Sequence, residues 1–166
     1  MRRILTALAA ALLLSVHFCP AQTVDVTASQ MADMLLQEAR AHLGERYRLS
    51  AAGPDVFDCS GLTTYVFGKY GIKLGRSSCD QVNEGRAVNG SFANLQPGDL
   101  VFFNGRRNSG RVGHVGIVVE ADSTGKDFTF IHAASTGVII SKYSEAYYTS
   151  RYVGARRVIP NIRPAD

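Results

Sequence analysis

Three positions carry residue types able to do nucleophilic and acid–base work. Cys59 lies in Asp58-Cys59-Ser60-Gly61-Leu62, His114 in Gly113-His114-Val115-Gly116-Ile117-Val118-Val119, and His132 closes Phe128-Thr129-Phe130-Ile131-His132. The thiolate is the reactive form of cysteine, and a helix N-terminus stabilises it through unsatisfied N–H groups and partial positive charge. Cys59 stands where a helix is expected to begin. His114 opens an apolar strand between glycines, and small neighbours allow another element to come close. A neutral imidazole beside a thiol takes its proton, and the resulting ion pair lowers the thiol pKa. A third polar group is then needed to fix the tautomer and angle of that base, and His132 on a neighbouring strand can supply it.

Each of these residues also has a plainer reading. Cys59 is small enough to be a buried core residue, and a lone histidine is often only a hydrogen-bonded structural group. Cys59 and Cys79 could pair as a disulfide in an oxidising compartment. Cys59, His114, His132 and Asp58 lack the close C-x-x-C or H-x-x-x-H spacing of a zinc site, so no metal and no cofactor are expected. Gly105 and Gly110 flank an Arg-containing turn without the pattern of a phosphate loop. His42, on the first helix, has no partner motif and reads as a surface residue.

The positioning elements follow from pattern. Thr27 with Gln30 forms a capping box for a first helix whose inward face is Met31, Met34, Leu35, Ala39 and Leu43, ended by Gly44. A second helix is expected from about Asp58 to Gly71, with Leu62, Val66, Phe67 and Tyr70 inward. A third, short helix starts at Ser77 or Ser78, with Gln81 in the capping position. After the Pro97-Gly98 turn the character changes. Strands are expected over Leu100–Phe103, Val115–Val119, Phe128–His132, Val138–Ser141 and Arg151–Val158, with one helical turn over Ser144–Tyr148. Helices first and strands after give an α+β fold of papain-like order, N-terminal helices packed on a C-terminal antiparallel β-sheet.

The first residues read as an export signal. Met1-Arg2-Arg3 is basic, Ile4 to Val16 is apolar, and Cys19-Pro20-Ala21 offers small residues before a cut at Gln22. The apolar run is shorter than a spanning helix needs, so no stable membrane span is expected after cleavage. Lipidation at Cys19 is the alternative, although Val16-His17-Phe18 are bulky for that site. The expected organisation is a signal peptide over 1–21, a short tether over 22–30, a catalytic domain over 31–160 and a tail over 161–166. Export to the periplasm or cell envelope follows. Loss of Arg2 and Arg3 lowers the net charge from +4 to +2. There is no basic block, so nucleic acid is not an expected partner.

Five runs in order carry a resemblance. They are Phe57-Asp58-Cys59-Ser60-Gly61-Leu62; Arg76-Ser77-Ser78 with Gln81; Leu95-Gln96-Pro97-Gly98-Asp99-Leu100-Val101-Phe102-Phe103; His114-Val115-Gly116-Ile117; and Ile131-His132-Ala133. From about Met31 to Ile159 the chain resembles the NlpC-type cell-wall cysteine peptidases. Gly137-Val138-Ile139-Ile140-Ser141, Tyr152 and Ala155-Arg156-Arg157-Val158 resemble the Spr (MepS) murein endopeptidase branch. The resemblance implies Cys59 as nucleophile, His114 as base and His132 as orienting residue. It implies Tyr47 near the oxyanion site, and Asp58, Ser60, Arg76 and Ser78 along a groove holding the polar ends of peptidoglycan stem peptides. Arginine pairs bidentately with carboxylates, which suits that task, while Asp58, Ser60 and Ser78 are equally natural helix caps.

The implied bond is the D-alanyl–diaminopimelate cross-link or the γ-D-glutamyl–diaminopimelate bond, in a one-domain enzyme expected to be a monomer. Amidase or acyltransferase chemistry on the same fold, or a non-catalytic wall-binding protein, are the alternatives. Gly75 stands where the family often has proline, and no SH3-like module precedes the domain. Cys79 lies outside the family pattern and is expected to be a packed thiol, unpaired with Cys59.

Overall fold

A computed structural model describes residues 26–105 and 110–160 of the chain. The leader, the start of the tether and the 161–166 tail expected from the sequence lie outside the described residues.

Helix α1 spans Ala28–Ala41 and begins with the expected capping box, Thr27 and Gln30 each satisfying the other's backbone N–H. Its buried face is Ala32, Leu35, Leu36 and Ala39. Leu43 falls beyond the helix end and is 45% exposed, so the inward face is shorter than expected. Two short parallel strands, β1 (Arg46–Tyr47) and β2 (Val56–Phe57), precede α2 (Cys59–Gly68). The sequence gives β1 and β2 no run long enough to betray them, and α2 stops at Gly68 rather than Gly71. His42 is not a surface residue. It caps the C-terminus of α1, packs edge-on against Phe57 and Tyr65, and meets the Glu38 carboxylate at 3.0 Å.

The third helix, α3, covers Ser78–Gln81. Its cap is Ser77 with Asp80 as the reciprocal partner, not Gln81. Gln81 is fully buried and ties α3 to α2. It accepts from Thr63 Oγ1 at 2.8 Å and donates to the Gly75 carbonyl at 2.8 Å. A buried amide satisfied on both sides is costly to disturb, so this contact fixes the loop that carries Arg76.

Strand β3 (Arg86–Val88) leads into β4 (Leu100–Asn104), β5 (Val112–Ala121), β6 (Phe128–Ala134) and β7 (Gly137–Lys142). One helical turn, α4 (Ala146–Thr149), and β8 (Tyr152–Arg157) follow. The sheet is antiparallel throughout, in the order β3-β8-β4-β5-β6-β7, and the fold is α+β as expected. Arg157 Nε and Nη2 donate to Asp99 at 2.6 and 2.7 Å, which locks the turn before β4 to the end of β8.

Alternation along the strands splits the core in two. Leu100, Phe102, Val115, Ile117, Ile131 and Ala133 pack toward α1 and α2. Val101, Phe103, Val118, Phe128, Phe130 and Tyr148 form a second cluster.

Gly61 sits where only a hydrogen atom fits: a Cβ there would lie 2.0 Å from the Ala51 carbonyl oxygen. That oxygen accepts the Asp58 N–H at 2.8 Å and so holds the entry to α2. Gly61→Ala must push backbone against backbone. We expect a loss of about 2 kcal/mol, read in a thermal melt as a Tm lower by roughly 4–8 °C. An unchanged Tm would show that the Ala51 loop yields without cost.

Candidate active site

Asp58 is the N-cap of α2, its Oδ1 accepting the Gly61 N–H at 2.6 Å, and Cys59 is the first helical residue. Cys59 is buried, and its thiol rests against the backbone N–H of Val115, the residue after His114. His114 is half-buried at the start of β5, with its ring against Phe103. His114 Nε2 lies 2.9 Å from His132 Nδ1, with the two rings perpendicular. His132 is almost fully buried on β6. Residues far apart in the chain are thus brought together by the pairing of β5 with β6 and by α2 lying across β5.

An open cleft of about 660 Å³ lies over this point, lined among others by Tyr47, Leu49, Asn104, His114, His132 and Tyr147. Tyr47, from β1, therefore faces the same space as His114. Leu49 and Tyr147 are exposed at its rim.

Three of the four polar residues expected along the groove, Asp58, Ser60 and Arg76, form one connected group. Arg76 pairs bidentately with Asp58, Nη1 to Oδ1 at 3.0 Å and Nη2 to Oδ2 at 2.8 Å. Asp58 Oδ2 also accepts the Ser50 N–H at 2.8 Å, and Ser60 Oγ donates to Oδ1 at 3.3 Å. Arg76 Nη1 further donates to Ser60 Oγ at 3.2 Å. The Asp58 carboxylate is buried and its lone pairs are engaged within the protein, whereas the Arg76 side chain is 45% exposed. Asp58 thus serves as cap and anchor, and Arg76 is the member of the group able to meet a ligand from solvent. Ser78 is buried at the first position of α3.

Burial dominates the electrostatics of the site. Burial pushes the Cys59 thiol above its ordinary value, and the Asp58 charge adds to this. The N–H groups of Val115, Ser60 and Cys59 itself pull it down but do not prevail. Burial also pushes His114 down to about 4. His132 is driven to about 2, by burial first and by the neighbouring His114 second. Burial thus works against charge on both groups, against the ion pair expected from the sequence.

Cys79 is a correction of another kind. It is exposed rather than packed, with its thiol 2.9 Å from the Val112 carbonyl, and both it and Cys59 are free. Ser50, Ser141 and Tyr148 were not legible as site residues. Ser50 reaches Asp58 through its backbone, Ser141 reaches His132 through sheet register, and Tyr148 reaches it from α4.

The NlpC/P60 family model matches residues 44–157. The chain belongs to the NlpC/P60 family. It is 41% identical over 118 residues to the "Murein DD-endopeptidase MepS/Murein LD-carboxypeptidase" of Escherichia coli (strain K12), covering 70% of this chain and 57% of that protein. It is 36% identical over 143 residues to the "Gamma-DL-glutamyl hydrolase" of Bacillus subtilis (strain 168), covering 84% and 33%. The chain thus spans between a third and six-tenths of the length of these two curated relatives. Among solved structures, an NlpC/P60 family protein from Bacillus cereus ATCC 10987 superposes with a TM-score of 0.69 at 33% identity, covering 78% of this chain and 40% of that one. The five runs that carry the resemblance all lie inside or overlap the matched segment.

Proposed function

We propose that this NlpC/P60 protein is an exported cysteine endopeptidase that cuts the stem peptides of peptidoglycan or their cross-links. Cys59 is the nucleophile, His114 its general base and His132 the residue that orients the base. The observation that carries this reading is the meeting of a buried helix-N-terminal thiol with the backbone beside His114, next to a His114–His132 contact that lines an open cleft.

His114 takes the thiol proton, and the sulfur attacks the scissile carbonyl. The tetrahedral oxyanion forms by the Cys59 backbone N–H with Tyr47 nearby. His114 then protonates the leaving amine, and water attacks the thioester with His114 again as base. Arg76, braced by Asp58 and Ser60, is placed to receive a substrate carboxylate, and Ser78 supports that loop. No metal or cofactor enters these steps. Among the described residues no helix is long and apolar enough to cross a membrane. We place the protein in the periplasm or cell envelope, as a monomer, after removal of its leader or lipidation at Cys19.

Of the two bonds, the Spr-like runs Gly137-Val138-Ile139-Ile140-Ser141 and Ala155-Arg156-Arg157-Val158 favour the D-alanyl–diaminopimelate cross-link. The name of the Bacillus subtilis relative favours a γ-glutamyl bond as the second reading. Mass analysis of muropeptides after digestion of purified walls separates them. Conversion of cross-linked dimers to monomers is the expected result. Release of peptides beginning with diaminopimelate points to the γ-glutamyl bond, and an unchanged muropeptide profile rejects the peptidase reading.

A further inference from the structure

The chain of contacts that starts at His114 does not end at His132. His132 Nε2 lies 3.1 Å from Ser141 Oγ on β7 and 3.2 Å from the Tyr148 hydroxyl on α4. The Ser141 hydroxyl donates in turn to the Tyr148 oxygen at 3.4 Å. All three side chains are buried, at 1%, 5% and 7% exposure. The register explains Ser141: His132 pairs with Ile139, and the residue two further along β7 shares its face and lies diagonally opposite. Tyr148 is held edge-on to both Phe130 and His132.

We propose that Ser141 and Tyr148 are positioning residues that hold His132 as its Nε2–H tautomer and so leave Nδ1 of His114 bare to take the thiol proton. This inference rests on His114 acting as the base.

The argument is a count of protons. Between His114 Nε2 and His132 Nδ1, 2.9 Å apart, there is room for one hydrogen. If His114 supplies it, His132 Nδ1 is the acceptor, the His132 proton sits on Nε2, and His114 Nδ1 carries a free lone pair. If His132 supplies it, the His114 proton is forced onto Nδ1 and that nitrogen cannot act as a base. A buried His132 Nε2 needs a partner in either tautomer. The Ser141 and Tyr148 hydroxyls, the two groups within reach, can accept from Nε2–H or donate to a bare Nε2, and acceptance is the arrangement that leaves His114 Nδ1 free for the thiol proton. The same His132 tautomer also accepts from His114 after His114 is protonated, so no proton on His132 has to move during the cycle.

Removing both hydroxyls by Ser141→Ala with Tyr148→Phe takes away both acceptors. Long-range ¹H–¹⁵N NMR of the full chain at pH 8 reads the tautomers directly. In the wild type both His114 and His132 are expected as Nε2–H. In the double variant His132 is expected to gain the Nδ1–H form. The turnover number on cross-linked muropeptides should fall about 10–100-fold, with KM within about twofold. Ser141→Thr in the Tyr148→Phe background restores one hydroxyl and should recover most of the rate and the wild-type spectrum. Wild-type protein with His132 as Nδ1–H overturns the proposal. So does a folded double variant that keeps the wild-type tautomers and rate. If the double variant does not fold, Ser141→Ala and Tyr148→Phe are read singly by the same spectra, and unchanged tautomers in both overturn it. A wild type that cleaves nothing defeats the peptidase reading alone, since the spectra judge the tautomer without turnover.

Discussion

Cys59→Ala is expected to stop hydrolysis of purified peptidoglycan, with muropeptide release reduced at least about 10⁴-fold. The loss should fall on the turnover number rather than on binding. The cleft walls and the Asp58–Arg76 pair do not depend on the sulfur, and Cys59 and alanine are both small apolar residues in the core between α2 and the sheet. The variant should therefore fold, melt within a few degrees of wild type and still sediment with wall material. Cys79→Ser is the matched control. Cys79 is exposed, with its thiol on the Val112 carbonyl, so its replacement should leave the rate unchanged. Equal loss in the two variants would mean that sulfur at either position matters only for stability.

Asp58→Ala has the second largest expected effect, and it acts on stability as well as activity. The substitution removes the cap of α2, the Ser50 anchor and the bidentate partner of Arg76 in one step. A lost cap costs about 1 kcal/mol, and a lost hydrogen bond to a charged group about 2 kcal/mol. We expect a total near 3 kcal/mol, with a Tm lower by roughly 10 °C. Asp58→Asn keeps the capping oxygen and should lose about half as much.

The acid side of the stability curve tests the same group. Burial alone would raise the Asp58 carboxyl, but Arg76 and the Gly61 and Ser50 N–H groups outweigh it and hold the carboxyl below its ordinary range. A depressed carboxylate contributes fully above the unfolded value of about 4 and loses its contribution as pH falls through the folded value. The histidines act earlier. His114 and His132 stay neutral in the folded state down to about 4 and about 2, while the unfolded chain takes up protons from about 6.5. Stability should fall first below pH 6.5 and again below pH 4. Denaturant titrations across pH should show the lower of the two losses diminished in Asp58→Ala and the upper one retained. Identical acid profiles for variant and wild type would remove Asp58 from the account.

What the sequence revealed and what it concealed divide along physical lines. The Thr27–Gln30 capping box, the strand runs after Pro97-Gly98 and the motif around Cys59 are local signals, and the structure carries them out within three residues. Gln81 and His42 misled for a common reason. A polar residue reads as a cap or a surface group when its partners are distant in sequence, and Gln81 finds Thr63 eighteen residues away. Short β1, β2 and β3 offered too few residues for any periodicity to emerge. The types of the site residues were visible, but their electrostatic state was not. The upward push on the Cys59 thiol and the downward push on His114 come from burial, which no spacing encodes. The contact of Ser141 with His132 arises from the register of β6 and β7, and that of Tyr148 from the packing of α4, both invisible before folding.

Trapping the covalent intermediate tests the central claim most directly. Wild-type protein mixed with cross-linked muropeptide, quenched in acid and digested with trypsin gives separate peptides for the two cysteines, residues 49–69 holding Cys59 and residues 77–86 holding Cys79. The account predicts an acyl mass added to the 49–69 peptide alone, removed by hydroxylamine and absent from Cys59→Ala. Continued turnover with the 49–69 peptide never modified, or an adduct carried by 77–86 instead, would contradict it.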